Sequence, residues 1–80
     1  MDRPITPAQF RGARALLGWS LAELAKEAGV SAAAVHRVEG RYSSVVEPGR
    51  LGAIRVALET AGVGFLDMEN GAVGVTLSPR

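Results

Sequence analysis

The spacing of apolar side chains divides the chain into a front and a tail of different period. Over residues 1–62, apolar positions recur every three or four residues, which is the spacing of a buried helical face. After Gly62 the apolar positions alternate with other residues, which is typical of β-strands. The pattern therefore predicts several helices followed by a β-hairpin.

The first predicted helix has a clear start and a clear end. Thr6 is placed to cap it, and Gln9 completes a capping box with Thr6. Pro7 suits the first helical position, where its missing N–H leaves no bond unmade. Gly18 ends the helix. The predicted buried side chains are Phe10, Ala13, Leu16 and Leu17, the exposed ones are Arg11 and Arg14, and Trp19 is expected to pack this helix on the next.

Residues 20–40 predict two short helices joined by a tight turn. Ser20 caps the first of them and forms a capping box with Glu23. Gly29 ends that helix because glycine tolerates positive φ, and Ser31 caps the second helix. Two helices joined by a turn of three or four residues that contains glycine describe a helix-turn-helix. Its predicted inner face comprises Leu21, Leu24, Ala25, Ala28, Val35 and Val38.

A fourth helix is predicted after a loop of no clear period at residues 41–47. Pro48 takes its first position, with Glu47 as the cap, and Gly62 terminates it. One stripe of apolar side chains at helical spacing faces the core, and it consists of Leu51, Ile54, Leu58 and Ala61.

The tail carries an Asn70-Gly71 pair between two apolar segments. This pair is preferred in two-residue type I′ turns, because both turn positions require positive φ. Such a turn places Met68 opposite Val73 and Leu66 opposite Val75. In that register one apolar face is formed by Leu66, Met68, Val73, Val75 and Leu77.

The hairpin also suggests self-association. A lone two-stranded hairpin is barely stable in water, and the last strand has neither a charge nor a proline to protect its edge. We therefore expect a homodimer in which the hairpins meet edge to edge or face to face. The alternative is that the hairpin only covers the core of its own chain. The predicted dimerisation residues are Phe65, Leu66, Val73, Val75 and Leu77.

Composition narrows the class of protein. Eighty residues without cysteine predict one domain with no disulfide, in which residues 1–62 form the helical part and residues 63–80 the hairpin. No apolar run is long enough to cross a bilayer, and the N-terminus lacks the apolar segment of a secretory signal. We therefore expect a cytoplasmic protein that does not contact the membrane. The fold class predicted is mainly α, with four or five helices and a C-terminal β-hairpin.

The front of the chain is mildly basic and the tail mildly acidic. Residues 1–55 carry eight basic and five acidic side chains, a net charge of +3, whereas residues 56–80 carry one and three, a net charge of −2. A basic front suits contact with nucleic acid. His36 is the only histidine, and no carboxylate lies at a ligand spacing from it, so no metal and no cofactor are expected. No nucleophile–base arrangement is visible, and the chain is not expected to be an enzyme.

The central stretch resembles the helix-turn-helix of the Cro and phage-repressor type, the xenobiotic-response-element (XRE) family of transcriptional regulators. The matching residues are Ala25, Gly29, Val30, Val35, Val38 and the Glu39-Gly40 pair. Residues 14–20 resemble a bacterial subgroup of small regulators. The resemblance implies a homodimer that binds double-stranded DNA, with the second motif helix in the major groove.

Carried over by position, the resemblance places the start of that helix against base edges. The implied base-reading residues are Ser31, Ala32, Ala33, His36 and Arg37, with Ala34 beside them. Alanines offer only methyl contacts, so hydrogen-bonded readout falls chiefly on Arg37, which can pair with guanine O6 and N7. Contacts to phosphate are expected from Arg41, Tyr42, Arg14, Lys26 and Arg50.

The sequence is also compatible with a protein-interaction module. The alanine face of the motif and the apolar tail could serve a protein partner, as in an antitoxin or another interaction module with weak or no DNA binding. The same helical module in other proteins also binds proteins rather than DNA. The leading expectation is a sequence-specific, dimeric transcriptional regulator, because the motif, the basic front and the hairpin tail all favour it.

Overall fold

The computed structural model describes residues 4–40 and 46–79, and within them it is mainly helical with a C-terminal hairpin, as the sequence predicts. The chain is compact, with a radius of gyration of 11.7 Å. Its elements in order are α1 (Pro7–Leu17), α2 (Leu21–Ala28), α3 (Ala32–Val38), α4 (Pro48–Thr60), β1 (Val63–Asp67) and β2 (Val73–Leu77).

The predicted helix boundaries are confirmed by the capping geometry. The Thr6 hydroxyl accepts a hydrogen bond from the Gln9 backbone N–H at 3.1 Å, and the Gln9 Oε1 accepts one from the Thr6 backbone N–H at 2.9 Å. Ser20 and Glu23 repeat this capping box at α2. Gly18, at the end of α1, adopts a φ of 68°, which only glycine adopts at little cost. Glu47 makes no side-chain cap at α4, which Pro48 nevertheless opens.

The core lies where the helices converge. Its largest fully buried side chains are Phe10, Leu24, Val35, Val38, Ile54 and Leu58. Trp19 packs against this cluster while partly exposed, as expected of a residue that joins α1 to α2. The prediction for Leu16 is wrong, because its side chain is exposed. Gln9 lies on the same side of α1 as Leu16. It is buried, and its side chain contacts the hairpin.

The predicted hairpin register is wrong by one residue. Asp67 pairs with Val73 and Phe65 with Val75, rather than Met68 with Val73 and Leu66 with Val75. The reason lies in the turn. A type I′ turn needs positive φ at both central positions, but Gly71 has positive φ (86°) and Asn70 does not. The chain therefore uses a three-residue loop, closed by hydrogen bonds from Met68 N to Ala72 O and from Gly71 N to Met68 O.

This register exchanges the two faces of β1. Phe65 now points to the helices, where its ring lies 5.7 Å from that of Phe10 at an interplanar angle of 59°. Leu66 and Met68 lie on the opposite face and are exposed. The predicted apolar face of five side chains is therefore not formed. The three-residue loop is favoured because it brings Val63 and Phe65 to the core side.

Gln9 anchors the hairpin to α1. Its Nε2 donates to the carbonyl oxygens of Leu66 and Gly74, each at 3.0 Å, while its Oε1 accepts from Thr6. The side chain is only 4% exposed, so these bonds satisfy a polar group that would otherwise be buried at a cost. Close by, Gly12 faces Val75, and a Cβ at Gly12 would come within 3.2 Å of its Cγ2.

We expect Gln9→Glu to lower the free energy of unfolding by about 2 kcal/mol at neutral pH, measured by urea denaturation. The introduced carboxylate keeps the cap acceptor but turns an oxygen toward two carbonyl oxygens. Part of the loss should be recovered as pH falls and the carboxyl becomes a donor. Glu23→Gln is the matched control, because it makes the reverse change in an exposed capping box. An equal effect of both substitutions would contradict the anchoring role of Gln9.

Candidate nucleic-acid interface

The turn between α2 and α3 is held by backbone geometry and one hydroxyl. Gly29 adopts a φ of 69°, and the Val30 N–H donates to the carbonyl of Ala25 at 3.0 Å. The Ser31 hydroxyl then accepts from the Ala34 N–H at 3.1 Å and starts α3. The helix-turn-helix expected from residues 20–40 is therefore formed as two helices in contact, with the predicted glycine in the turn.

The two sides of α3 differ completely. Ala34, Val35 and Val38 are buried in the core. The predicted base-reading side chains all lie together on the exposed side, and they are Ser31, Ala32, Ala33, His36 and Arg37. Ala34 does not belong with them, because its side chain is one of the buried ones. The exposed side presents one guanidinium, one imidazole, one hydroxyl and two methyl groups, with no carboxylate among them.

The residues predicted to contact phosphate differ in their exposure. Lys26, in the last turn of α2, and Arg50, in the first turn of α4, are exposed and make no ion pair with any described residue. Arg41 and Tyr42 lie outside the residues that the structure describes. The expected exposure of Arg14 is wrong, because its side chain is only 25% exposed and is engaged in an ion pair.

Arg14 forms a two-pronged ion pair with Glu39 at the end of α3. Its Nε lies 2.7 Å from one carboxylate oxygen and its Nη2 lies 2.9 Å from the other. Its Nη1 donates to the carbonyl of Trp19 at 3.0 Å, so every guanidinium nitrogen has a partner. The hydrogen bond to Glu39 raises the pKa of Arg14, burial opposes this, and the charge of Glu39 adds to it. The guanidinium therefore stays charged at any physiological pH.

This ion pair ties α1 to the C-terminal end of the exposed helix. Glu39 is 6% exposed, and its backbone carbonyl also accepts a hydrogen bond from Arg11. Two arginines of α1 thus hold the end of α3, which fixes the direction in which its exposed side faces. A carboxylate at a helix C-terminus is unfavourable against the helix dipole, and this was the one signal in the sequence that a cation lies near Glu39.

The five predicted dimerisation residues do not share one surface. Phe65 and Val75 pack against the core of their own chain. Val73 and Leu77 extend from the same side of the sheet but are exposed, and Leu66 is exposed on the other side. Because Phe65 packs against its own core, a second chain could not cover it. Of the two strands, β2 is the more accessible.

Among residues 4–40 and 46–79, no three histidine or acidic side chains are placed to hold a metal ion. Over the same residues, no helix has the length and apolar content that a membrane span requires.

The feature with the clearest functional geometry in the described part of the chain is the α2–α3 surface, which is formed by Lys26 of α2 and by Ser31, Ala32, Ala33, His36 and Arg37 on the exposed side of α3. No model of a known protein family matches this chain, and no curated protein sequence does either. Assignment of a function consequently rests on that geometry and on the residue pattern that produces it.

Proposed function

We propose that this protein is a sequence-specific DNA-binding transcriptional regulator of the XRE type, which places α3 in the major groove and acts as a homodimer. The observation that carries the proposal is the separation of α3 into a buried side and an exposed side that holds Ser31, Ala32, Ala33, His36 and Arg37. In a helix-turn-helix, the second helix lies in the major groove, and the residues of its N-terminal half contact base edges.

The exposed side of α3 suits one hydrogen-bonded base contact surrounded by methyl contacts. Arg37 can donate two hydrogen bonds to O6 and N7 of a guanine, which is the commonest specific contact in the major groove. The methyl groups of Ala32 and Ala33 can pack against thymine methyl groups. The proposed half-site therefore contains one guanine that is read directly and neighbouring thymines that are read through their methyl groups.

Positioning on the duplex would come from the surrounding cations. Lys26 and Arg50 are exposed on the elements that flank α3, and Arg41 follows it in sequence. Contacts of this kind fix the register on the phosphate backbone without specifying sequence. Arg14 has no part in them, because its guanidinium already holds Glu39. Its role in the proposal is to orient α3.

A mobility-shift titration tests the proposal, with a duplex taken from the region upstream of the protein's own coding sequence and a scrambled duplex of equal length as the control. The titration is done at about 150 mM salt, where non-specific binding through phosphates is suppressed. We expect the upstream duplex to be bound at least tenfold more tightly than the scrambled one. Equal affinity for both duplexes would overturn sequence-specific binding.

The methyl contacts give a separate prediction. Replacing a thymine that faces Ala32 or Ala33 with deoxyuridine removes one methyl group and should weaken binding about fourfold, since burying such a group contributes about 0.8 kcal/mol. The same replacement outside the protected site is the control and should change nothing. Unchanged affinity at every thymine of the half-site would show that the alanine methyl groups do not contact bases.

A protein-interaction module is the second candidate, as in an antitoxin-like component. The observation in its favour is the exposure of Leu16 on α1 and Val56 on α4, two large apolar side chains outside the α2–α3 surface. Single exposed apolar residues are common on monomers, so this observation weighs less than the geometry of α3. The titration above separates the two, because an interaction module would not distinguish the two duplexes.

A further inference from the structure

The loop of the hairpin contains the only asparagine of the chain, Asn70, which is followed directly by Gly71. Both residues are exposed to solvent. The side-chain amide of an asparagine can react with the backbone nitrogen of the next residue, and glycine hinders this approach least because it has no Cβ. The loop therefore places a reactive amide beside an unhindered backbone nitrogen in contact with water.

Two hydrogen bonds restrain these reacting groups. The Asn70 Oδ1 accepts a hydrogen bond from the Ala72 N–H at 3.0 Å, which fixes the side chain against the backbone of the loop. The Gly71 N–H donates to the carbonyl oxygen of Met68, also at 3.0 Å. The nitrogen that attacks is thus engaged in a bond that must break before it can lose its proton. The closed loop restrains the reaction, and opening of the loop permits it.

We propose that Asn70 is a site of spontaneous deamidation in the folded protein, and that these two loop hydrogen bonds control its rate. In the first step the Gly71 nitrogen loses its proton and forms a bond to the Asn70 Cγ, and the side-chain nitrogen leaves as ammonia. The product is a cyclic succinimide. Water then adds to one of the two ring carbonyls and opens the ring. The net reaction converts an amide and water into a carboxylic acid and ammonia, without oxidation or reduction.

Water opens the ring in two ways that affect the loop differently. Cleavage between the Gly71 nitrogen and Cγ restores the ordinary backbone and leaves aspartate, whose carboxylate can still accept from the Ala72 N–H. Cleavage between that nitrogen and the Asn70 carbonyl carbon leaves isoaspartate, in which the backbone runs through Cβ and Cγ and is one carbon longer. The extra carbon lies inside the loop that the Met68–Ala72 hydrogen bond closes at 2.8 Å. We therefore expect isoaspartate to disturb the closure of the hairpin.

Either product also adds a negative charge to an acidic part of the chain. The loop already carries Glu69, and Asp67 ends β1. Deamidation changes the net charge of residues 56–80 from −2 to −3, because a neutral amide becomes a carboxylate. Like charges at short range repel each other. The added charge also allows anion-exchange chromatography to separate the modified protein from the intact protein.

Mass spectrometry of the full-length protein tests the site. The protein is incubated at mildly alkaline pH, either folded or unfolded in guanidinium chloride, and then digested with trypsin, which releases residues 56–80 as one peptide. We expect conversion at Asn70 in both samples, roughly 5- to 150-fold slower in the folded chain, because two hydrogen bonds must open first. The rate should rise with pH in both samples, since the Gly71 N–H must lose its proton.

Two controls make this measurement specific. Gln9, the only glutamine of the chain, is the internal reference and should remain intact, because its side chain is one methylene longer and closes the corresponding ring far more slowly. Asn70→Gln should show no conversion for the same reason. Equal rates in the folded and unfolded samples would overturn control by the loop hydrogen bonds. A folded chain in which Asn70 stays intact, although the incubation exceeds the expected slowing, would overturn the site itself.

The isoaspartate form gives a second readout of the same site. Anion-exchange chromatography isolates the deamidated protein, and Asn70→Asp supplies the aspartate form for comparison. We expect a lower urea midpoint for the isoaspartate form than for Asn70→Asp, which should unfold close to the wild type because its backbone is unchanged. Equal midpoints for the two forms would contradict the effect assigned to the longer backbone. These measurements need no DNA, so they stand or fall separately from the proposed function.

Discussion

Replacing Arg37 with alanine should weaken binding to the upstream duplex by about 5- to 150-fold at 150 mM salt. The estimate follows from the roughly 1–3 kcal/mol that an arginine–guanine pair contributes to discrimination. Because Arg37 is the only side chain on the exposed face of α3 that can make a bidentate contact with guanine, its loss should also relax specificity at one base pair. Mobility-shift titrations against duplexes that carry each base at that position measure both effects.

The matched control for Arg37 is Arg55→Ala. Arg55 is exposed on α4, where it pairs with Glu59 at 3.3 Å, so its removal takes away one positive charge outside the α2–α3 surface. It should change affinity for the upstream duplex by less than about twofold. Lys26→Ala should behave differently from both, weakening binding to all sequences alike and reducing the salt slope by about one. If Arg37→Ala has no more effect than Arg55→Ala, then α3 does not read DNA in the proposed orientation.

Removal of the Glu39 carboxylate should have the largest effect on stability. We expect Glu39→Ala to lower the free energy of unfolding by about 3 kcal/mol, because it leaves the partly buried guanidinium of Arg14 without its anionic partner. For a domain of this size, that is a large share of a total of roughly 4–12 kcal/mol. Urea denaturation followed by circular dichroism measures the change.

Two controls make the Glu39 prediction specific. Glu59→Ala breaks the exposed pair with Arg55 and should cost less than about 1 kcal/mol, as surface pairs do. The double replacement Arg14→Met with Glu39→Leu should be less destabilising than Glu39→Ala alone, because no charge is then left unpaired. A single variant that is as stable as the wild type would show that the ion pair does not hold α1 to α3.

Helix boundaries and the helix-turn-helix could be predicted because they depend on local chemistry. The capping boxes at Thr6 and Ser20 and the glycines at 18 and 29 act over three or four residues, and the structure confirms all of them. The inner face of α3 at Val35 and Val38 followed from the spacing of apolar residues, whereas its exposed residues were placed by the resemblance, which did not reveal that Ala34 is buried. These features need no knowledge of how the elements pack.

The features that could not be predicted depend on contacts distant in sequence. Arg14 and Glu39 are 25 residues apart, and Gln9 meets the hairpin across 57 and 65 residues. A polar residue such as Gln9 is expected to be exposed. Its burial is explained by the two hairpin carbonyl oxygens to which its side chain donates. The register failed because the turn rule for Asn70-Gly71 competes with burial of Phe65, and packing decided the outcome.

Chemical-shift mapping of ¹⁵N-labelled protein with a specific duplex tests whether α3 lies against DNA. The duplex is the tightest binder recovered from a random pool at about 150 mM salt. We expect the largest shifts at the amides of residues 31–37 and of Lys26, with little change in β1 and β2 if the protein is already dimeric. Saturating duplex that leaves the amides of α3 unshifted would contradict the claim that this helix reads DNA.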